Sequence, residues 1–518
     1  MADLQALHGN QRAAFVREGP VTLDARCTRI DALASMLLDN ADDLADAMST
    51  DFGCRARSVS LSSDVLASIL NMEHTRSHVA EWMRPRRLNR FGRRGICADL
   101  QPDPLGVVGV VAPWNFPIQL AVVPAASALA AGNRVMIKMS EKTPCTAELV
   151  AALAGAYFHP DVLTVITGGP EVAARFCSLP FDHLFFTGST DVGKKVMALA
   201  AENLVPVTLE LGGKNPAVVG TDADVRQAAA RLMGARLVNG GQVCLCPDYA
   251  LVPRARIDEF VAAALSAARK AFPDPLRDPN YCSLIDRAAY ERIVGLIENA
   301  RELGATVRTV APQGQPFADA ARRKVAPTVL TAVTGQMSID GEEVFGPVLT
   351  VYGYDNVDEA IEFVNARPSP LAAYWYGPRS QDFERFSRST RSGGVSRNEF
   401  ALHATLNAAP FGGVGFSGMG VYHGRFGFDT FSHYKPVVGS DLRFNLLSSA
   451  SSLSPGAFSA RVTSAAIRAY AKRISRRRTS TGQLSDGSER RGQAPVQPLG
   501  ESDFPARHHA FDALGGQR

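Results

Sequence analysis

The sequence predicts an α/β protein: a Rossmann-like parallel-sheet domain, a second α/β domain and a small β element. Three observations carry that prediction. The chain has 518 residues, more than one hydrophobic core comfortably serves. From Gly106 onward, short apolar runs without polar alternation are separated by helix-length stretches, as in a sheet covered on both faces. After Gly212 the same rhythm starts again.

The opening segment has helical spacing, with Leu23, Cys27, Ile30, Leu33, Leu37, Leu44 and Met48 on one face. A second amphipathic stretch covers 64–82 and ends at the basic knot Arg84-Pro85-Arg86-Arg87. Residues 97–101 read as a short exposed strand suited to pairing with a partner subunit. No charge occurs between Leu105 and Asn133, but Pro113, Pro117 and Pro124 interrupt that stretch, so a buried strand, a loop and a buried helix fit better than a membrane span.

Strands are expected at 107–111, 134–138, 163–167, 183–187 and 207–210, with helices at 118–131, 143–157, 170–178 and 191–202 between them. Sheets of this kind bind dinucleotides outside the carboxyl ends of their strands. The second domain is expected to use strands at 217–219 and 250–252 and helices at 223–238, 257–270 and 288–303. The domains are therefore drawn as 1–90 with 104–211 for dinucleotide binding and 212–398 as a second, catalytic α/β domain. Segments 91–103 and 399–440 are expected to bridge subunits and to close the site. Residues 441–518 form a basic helix and a tail too poor in large apolar groups to order itself.

Composition excludes several classes. A net charge of +4 is too small to imply a nucleic-acid partner. The eight cysteines are irregularly spaced, with no zinc pattern and no disulfide framework, which favours a reducing, cytoplasmic setting. The first residues carry neither a basic nor an apolar signal region.

Chemistry points to three places. In Asn239-Gly-Gly-Gln-Val-Cys244 a thiol follows glycines that allow a tight turn and close approach. A lone cysteine is more often a small buried hydrophobe. In Pro206-Val-Thr-Leu-Glu210-Leu-Gly-Gly a carboxylate ends a buried strand, where desolvation would raise its pKa toward that of a general base. In Ala112-Pro-Trp-Asn115-Phe-Pro an amide ends the first parallel strand and can donate to a developing oxyanion.

Together these strings resemble the aldehyde dehydrogenase superfamily. The matching motifs, in the family's order, are Ala-Pro-Trp-Asn-Phe-Pro (112–117), Lys-Met-Ser-Glu (138–141), Phe-Thr-Gly-Ser-Thr (186–190), Leu-Glu-Leu-Gly-Gly-Lys (209–214), Gly-Gln-Val-Cys (241–244) and Glu-Val-Phe-Gly-Pro-Val (343–348). Asp51-Phe-Gly, Trp82-Met-Arg-Pro-Arg-Arg and Pro410-Phe-Gly-Gly-Val-Gly-Phe-Ser-Gly-Met-Gly-Val-Tyr-His-Gly424 are similar to the branch of class 3 and coniferyl aldehyde dehydrogenases.

The resemblance implies that Cys244 attacks the aldehyde, that Asn115 and the Cys244 N–H hold the oxyanion, and that Glu210 activates water against the resulting thioester. It implies NAD contacts at Trp114, Lys138, Glu141, Gly188, Ser189, Thr190, Gly193, Glu343 and Phe345, with no metal. Glu141 would repel a 2′-phosphate, so NAD is expected over NADP, although NADP is accepted by some class 3 relatives. A hydrophobic aromatic or medium-chain aliphatic aldehyde and a homodimer are the expected partners.

Two departures stand out: Met139 replaces the family's usual proline, and Cys246 lies two residues past the nucleophile, as packing or as a resting disulfide partner. His423 suggests proton transfer, but a structural hydrogen bond is the simpler expectation. Near the end, Phe458, Val462, Ile467, Tyr470 and Ile474 recur helically among Arg461, Arg468, Lys472, Arg473 and Arg476 to Arg478. That helix either docks on the body or lies on an anionic membrane surface. The alternatives to aldehyde oxidation are a catalytically idle scaffold and an acyl-CoA-forming variant. Retention of Cys244, Asn115 and Glu210 argues against both.

Overall fold

A computed structural model describes residues 3–88, 96–312, 314–441 and 457–480. The chain divides into two units, Met1–Gly439 and Ser440–Arg518. In the first, the uninterrupted apolar runs become the centre of a six-stranded sheet. Its order is Gly418–Met419, Val207–Leu211, His183–Gly188, Val107–Val111, Arg134–Lys138 and Leu163–Ile166. The five longer strands run parallel, and Gly418–Met419 pairs antiparallel with Val207–Leu211.

In chain order the parallel strands lie 3-2-1-4-5. The winding therefore reverses between Val107–Val111 and His183–Gly188, where a crevice opens outside the carboxyl ends. The uncharged stretch resolves into the fully buried Val107–Val111 strand, a loop, and the helix Gln119–Ala131, buried from Ala121 to its end. Among the described residues no helix is long and apolar enough to cross a membrane.

A second sheet has the order Thr306–Thr309, Thr328–Thr331, Val348–Tyr354, Pro247–Pro253, Asn215–Val219, Ala372–Tyr376 and Gly394–Arg397. All its strands are parallel except the first. The helices Val225–Leu237 and Ile257–Ala271 pack on it through small and branched side chains such as Ala228, Leu232, Val261 and Ala264.

Several elements differ from the sequence reading. The helical spacing over 23–48 is broken at Asn40, whose φ of −122° ends Leu23–Asp39 and starts Ala41–Phe52. An additional helix, Leu4–Glu18, is capped by Asp3. The 64–82 stretch begins earlier, with a π-helical turn over Ser60–Leu66 that leads into Ala67–Trp82. The strand expected at 97–101 extends over Ile96–Pro104 and is the middle of a three-stranded sheet, between Arg86–Arg87 and Ser432–Ser440. Its neighbours are thus segments of its own chain.

The second unit contains the helix Ala457–Ser480, on which Ile467, Tyr470 and Ile474 are exposed. The disorder expected near the end of the chain falls beyond Ser480, outside the described residues.

Candidate active site

The turn leading to Cys244 is built from three successive left-handed residues: Asn239 (φ 50°), Gly240 (φ 64°) and Gly241 (φ 79°). At Gly241 only glycine fits, because a Cβ there would fall 2.2 Å from the carbonyl oxygen of Gly346. The Cys244 turn therefore rests directly on the loop that carries Glu343 and Phe345.

Buried amides fix this turn from every side. Gln242 Nε2 donates to Asn239 O (2.9 Å) and Ser283 O (3.1 Å), and Gln242 Oε1 accepts from Ile285 N (2.9 Å). Asn115 Nδ2 donates to Gln242 O at 3.1 Å, while Asn239 Nδ2 returns a bond to Asn115 O at 3.1 Å. The sequence-predicted Asn115 and Cys244 segments are thereby stitched together. Farther along, Asn215 Nδ2 bonds the carbonyls of Cys244 and Cys246, and Tyr374 donates to Leu245 O at 2.6 Å.

The Glu343 loop has its own lock. Lys214 pairs with buried Asp248 and donates to Ile339 O (2.9 Å) and Glu342 O (2.8 Å), while Asp248 accepts from Val344 N at 2.8 Å. Arg292 binds the carbonyls of Glu343 and Val344. This over-determination holds Phe345 at a strained φ of 48°, with its ring edge-on to Trp114 at 5.5 Å between centroids.

Two cavities meet at the thiol. The first, about 690 Å³, lies in the crevice at the strand ends and is lined by Trp114, Asn115, Gly188, Ser189, Thr190, Glu343 and Phe345 among others. The second, about 420 Å³, is walled mainly by apolar side chains including Phe116, Leu120, Val123, Val243 and Phe400. Thr187, Glu210 and Cys244 line both.

Electrostatics single out the same residues. Glu210 is 3% exposed, neither carboxylate oxygen has a hydrogen-bond partner, and burial pushes its pKa well above the usual carboxylate range. Glu343 is pushed up to about 8, by burial and then by the charge of Asp248. The half-buried Cys244 thiol is pushed far up by burial and by the carboxylates of Glu343 and Glu210, so it needs a base to become a nucleophile.

The remaining expected residues are placed differently. Ser189 precedes the helix Thr190–Ala201 without a side-chain cap, leaving first-turn N–H groups for an anion. Gly193 does not line the cavity. It lets that helix approach the sheet, since a Cβ there would meet Leu211 Cδ2 at 2.7 Å. Lys138 is buried and donates to Met139 O at 2.6 Å, while Glu141 is exposed in the following turn; neither lines the 690 Å³ cavity.

Cys246 points its thiol at Ala235 O (3.4 Å) on the packed helix Val225–Leu237, as the packing reading expects. His423 lines the apolar cavity at a positive φ of 79°, and its Nδ1 has no hydrogen-bond partner. Asn215, Gln242, Lys214 and Asp248 were not singled out in the sequence reading. Gln242 and Lys214 fall inside motif strings without a role of their own, and Asn215 and Asp248 show only as polar residues inside or beside an apolar strand. Among the described residues no group of three or more His, Cys, Asp or Glu side chains is placed to hold a metal ion.

Known proteins share this architecture. The model of the aldehyde dehydrogenase family matches residues 2–437. A coniferyl aldehyde dehydrogenase of Pseudomonas sp. (strain HR199 / DSM 7063) is 43% identical over 427 residues, covering 82% of this chain and 89% of that protein. Aldehyde dehydrogenase family 3 member A2 of Macaca fascicularis is 37% identical over 83% of this chain and 87% of its own length. The substrate-bound structure of Staphylococcus aureus AldH superimposes with a TM-score of 0.84 at 30% identity, covering 90% of this chain and all of that one. An indole-3-acetaldehyde dehydrogenase of P. syringae, solved with NAD+ and IAA, gives a TM-score of 0.77 at 29% identity over 85% of this chain and 89% of that one. Family model, relatives and fold agree: the chain belongs to the aldehyde dehydrogenase family, whose members are NAD(P)-dependent enzymes that oxidise aldehydes.

Proposed function

We propose that the protein oxidises a hydrophobic aldehyde, aromatic or medium-chain aliphatic, to its carboxylic acid with NAD, using Cys244, Asn115 and Glu210. The observation that supports this is the meeting of two unlike cavities at Cys244 and Glu210. The apolar one suits a hydrophobic aldehyde, in keeping with the similarity to coniferyl aldehyde dehydrogenase. The other suits a dinucleotide. It lies at the switch point, under an uncapped helix N-terminus, with Trp114 and Phe345 as aromatic walls.

In this reading a buried carboxylate takes the Cys244 proton and the thiolate attacks the carbonyl carbon. Asn115 Nδ2 and the Cys244 N–H hold the oxygen as it gains charge. NAD, held by the residues that line the larger cavity, would supply the hydride acceptor that turns the Cys244 adduct into a thioester. Glu210, unpartnered and held at a high pKa, takes a proton from water as that water attacks the thioester. Glu343 would hold the nicotinamide ribose, and Lys138 and Glu141 the adenosine ribose. The Glu141 carboxylate would repel a 2′-phosphate, so NAD is the better cofactor.

A homodimer would use Ser432–Ser440, an outer strand of the three-stranded sheet. Purified enzyme should form NADH with cinnamaldehyde or octanal, release the free acid with or without coenzyme A, and lose all NADH formation in Cys244→Ala. Undiminished turnover in that variant, or an acyl-CoA product, would refute the reading.

A further inference from the structure

The helix Gln119–Ala131 begins immediately behind the oxyanion segment, yet its local sequence gives it no cap. Ile118 stands at the cap position and makes no side-chain bond. The nearest candidate, Asn115, is committed elsewhere, with its amide on Gln242 O. The missing cap arrives from a distant part of the chain. Asp64 Oδ1 accepts from Ile118 N (3.1 Å) and Gln119 N (3.2 Å), while its Oδ2 accepts from Arg55 at 2.7 Å.

Both side chains of this ion pair are fully buried. The Arg55 guanidinium lies 5.2 Å from the Phe116 ring centroid and 4.9 Å from that of Phe52. Asp64 itself sits in the π-helical turn Ser60–Leu66, and its neighbours Ser62, Ser63 and Leu66 line the apolar cavity. One carboxylate thus ties the wall of that cavity to the two N–H groups just past Asn115 and Phe116.

We propose that Asp64, neutralised by Arg55, is a positioning residue for the reaction: it fixes the Asn115–Phe116 segment against the Cys244 turn. This rests on the reading of Asn115 as the oxyanion donor. A buried charge pair costs desolvation and is weak evidence of stabilisation in itself, so placement is the better account of its presence. Displacement of a reacting group by about 1 Å costs on the order of 100-fold in rate.

Two double variants separate placement from folding. Arg55→Leu with Asp64→Asn removes both charges but keeps an oxygen for the two N–H groups. Arg55→Leu with Asp64→Leu removes the oxygen as well. With matched melting temperatures, the first should retain kcat within about fivefold, and the second should lose roughly 10- to 100-fold, with KM for NAD changed less than threefold in both. Asp64→Glu, which keeps the charge pair but lengthens its reach, should fold normally and lose about tenfold in kcat.

Equal kcat in the two double variants, or wild-type kcat in Asp64→Glu, would overturn the assignment. Asn115→Ala serves as the reference. If that variant is not slowed, the oxyanion reading itself has failed; if it is slowed while the Asp64 variants are not, only the positioning role has.

Discussion

A single side chain, Asn215, bridges the segment that follows the Cys244 turn: its Nδ2 donates to Cys244 O at 2.7 Å and to Cys246 O at 2.9 Å. Its Oδ1 accepts from Ala372 N at 2.9 Å, which ties the turn to the centre of the second sheet. Truncation in Asn215→Ala leaves three buried polar groups without partners, at a cost of roughly 2–4 kcal/mol in stability. Because two of the freed groups flank the thiol, kcat should fall more than tenfold even where the variant is fully folded. Urea denaturation and steady-state kinetics on one preparation check both statements. Unchanged kcat in folded protein would show that the turn keeps its shape without Asn215.

Glu210 is expected to trade stability for activity. Its folded pKa lies above its unfolded value because the carboxylate is buried without a partner. A carboxyl with a raised folded pKa favours the folded state most at low pH, and that contribution is lost as pH rises from about 4.3 toward the folded value. Glu210→Gln cannot ionise, so its melting temperature should exceed that of the wild type by a margin that grows above pH 5. Its NADH burst should persist while steady-state turnover drops on the order of 100- to 10,000-fold, since only thioester hydrolysis has lost its base. A variant that is less stable at pH 8, or one without a burst, would contradict this assignment.

Acid should weaken the fold through buried histidines. Burial depresses His183 and His423 to about 4 each, with His403 adding to the effect at His423. A histidine with a lowered folded pKa leaves the unfolded chain binding more protons between about pH 6.5 and the folded value, so stability falls as pH drops through that window. Two such groups give a slope of up to roughly 3 kcal/mol per pH unit. His423→Asn should lose less melting temperature than wild type between pH 7 and pH 5. An identical loss in both proteins would remove His423 from the explanation.

What the sequence reveals follows from which forces leave a periodic trace. The strands at 107–111 and 134–138 were legible because burial on both faces demands unbroken apolar runs. Cys244, Glu210 and Asn115 were legible through motifs in a fixed order, and the structure brings all three to one cavity. The helix Leu4–Glu18 left little trace. Its buried face includes His8 and Gln11, and Gln11 Nε2 donates to the distant carbonyls of Val135 and Pro160. Asn215, Gln242 and Asp64 were invisible for the same reason: a buried polar residue reads as a flaw in a pattern until its partners, far away in sequence, are known. Asn40 escapes notice for a different reason: it splits a helical pattern without interrupting its apolar spacing.

Cofactor choice should turn on one exposed carboxylate. Glu141 follows the strand Arg134–Lys138, in a turn whose first residue, Met139, is fully buried and whose carbonyl accepts the Lys138 ammonium. That anchoring replaces the stiffness a proline would supply and fixes where the Glu141 side chain emerges. A carboxylate about 5 Å from a 2′-phosphate in high-dielectric surroundings opposes binding by roughly 1–3 kcal/mol. Wild-type enzyme should therefore show a kcat/KM for NAD at least tenfold above that for NADP. Glu141→Ser should raise the NADP value about 10-fold or more while lowering the NAD value modestly, through loss of a ribose hydrogen bond. Measuring both cofactors at low and high salt adds a check, because like-charge repulsion at an exposed site is screened. The wild-type NAD-to-NADP ratio should shrink as salt rises, and the ratio in Glu141→Ser should stay nearly constant. A ratio that ignores both the substitution and the salt would place the discrimination elsewhere in the adenosine pocket.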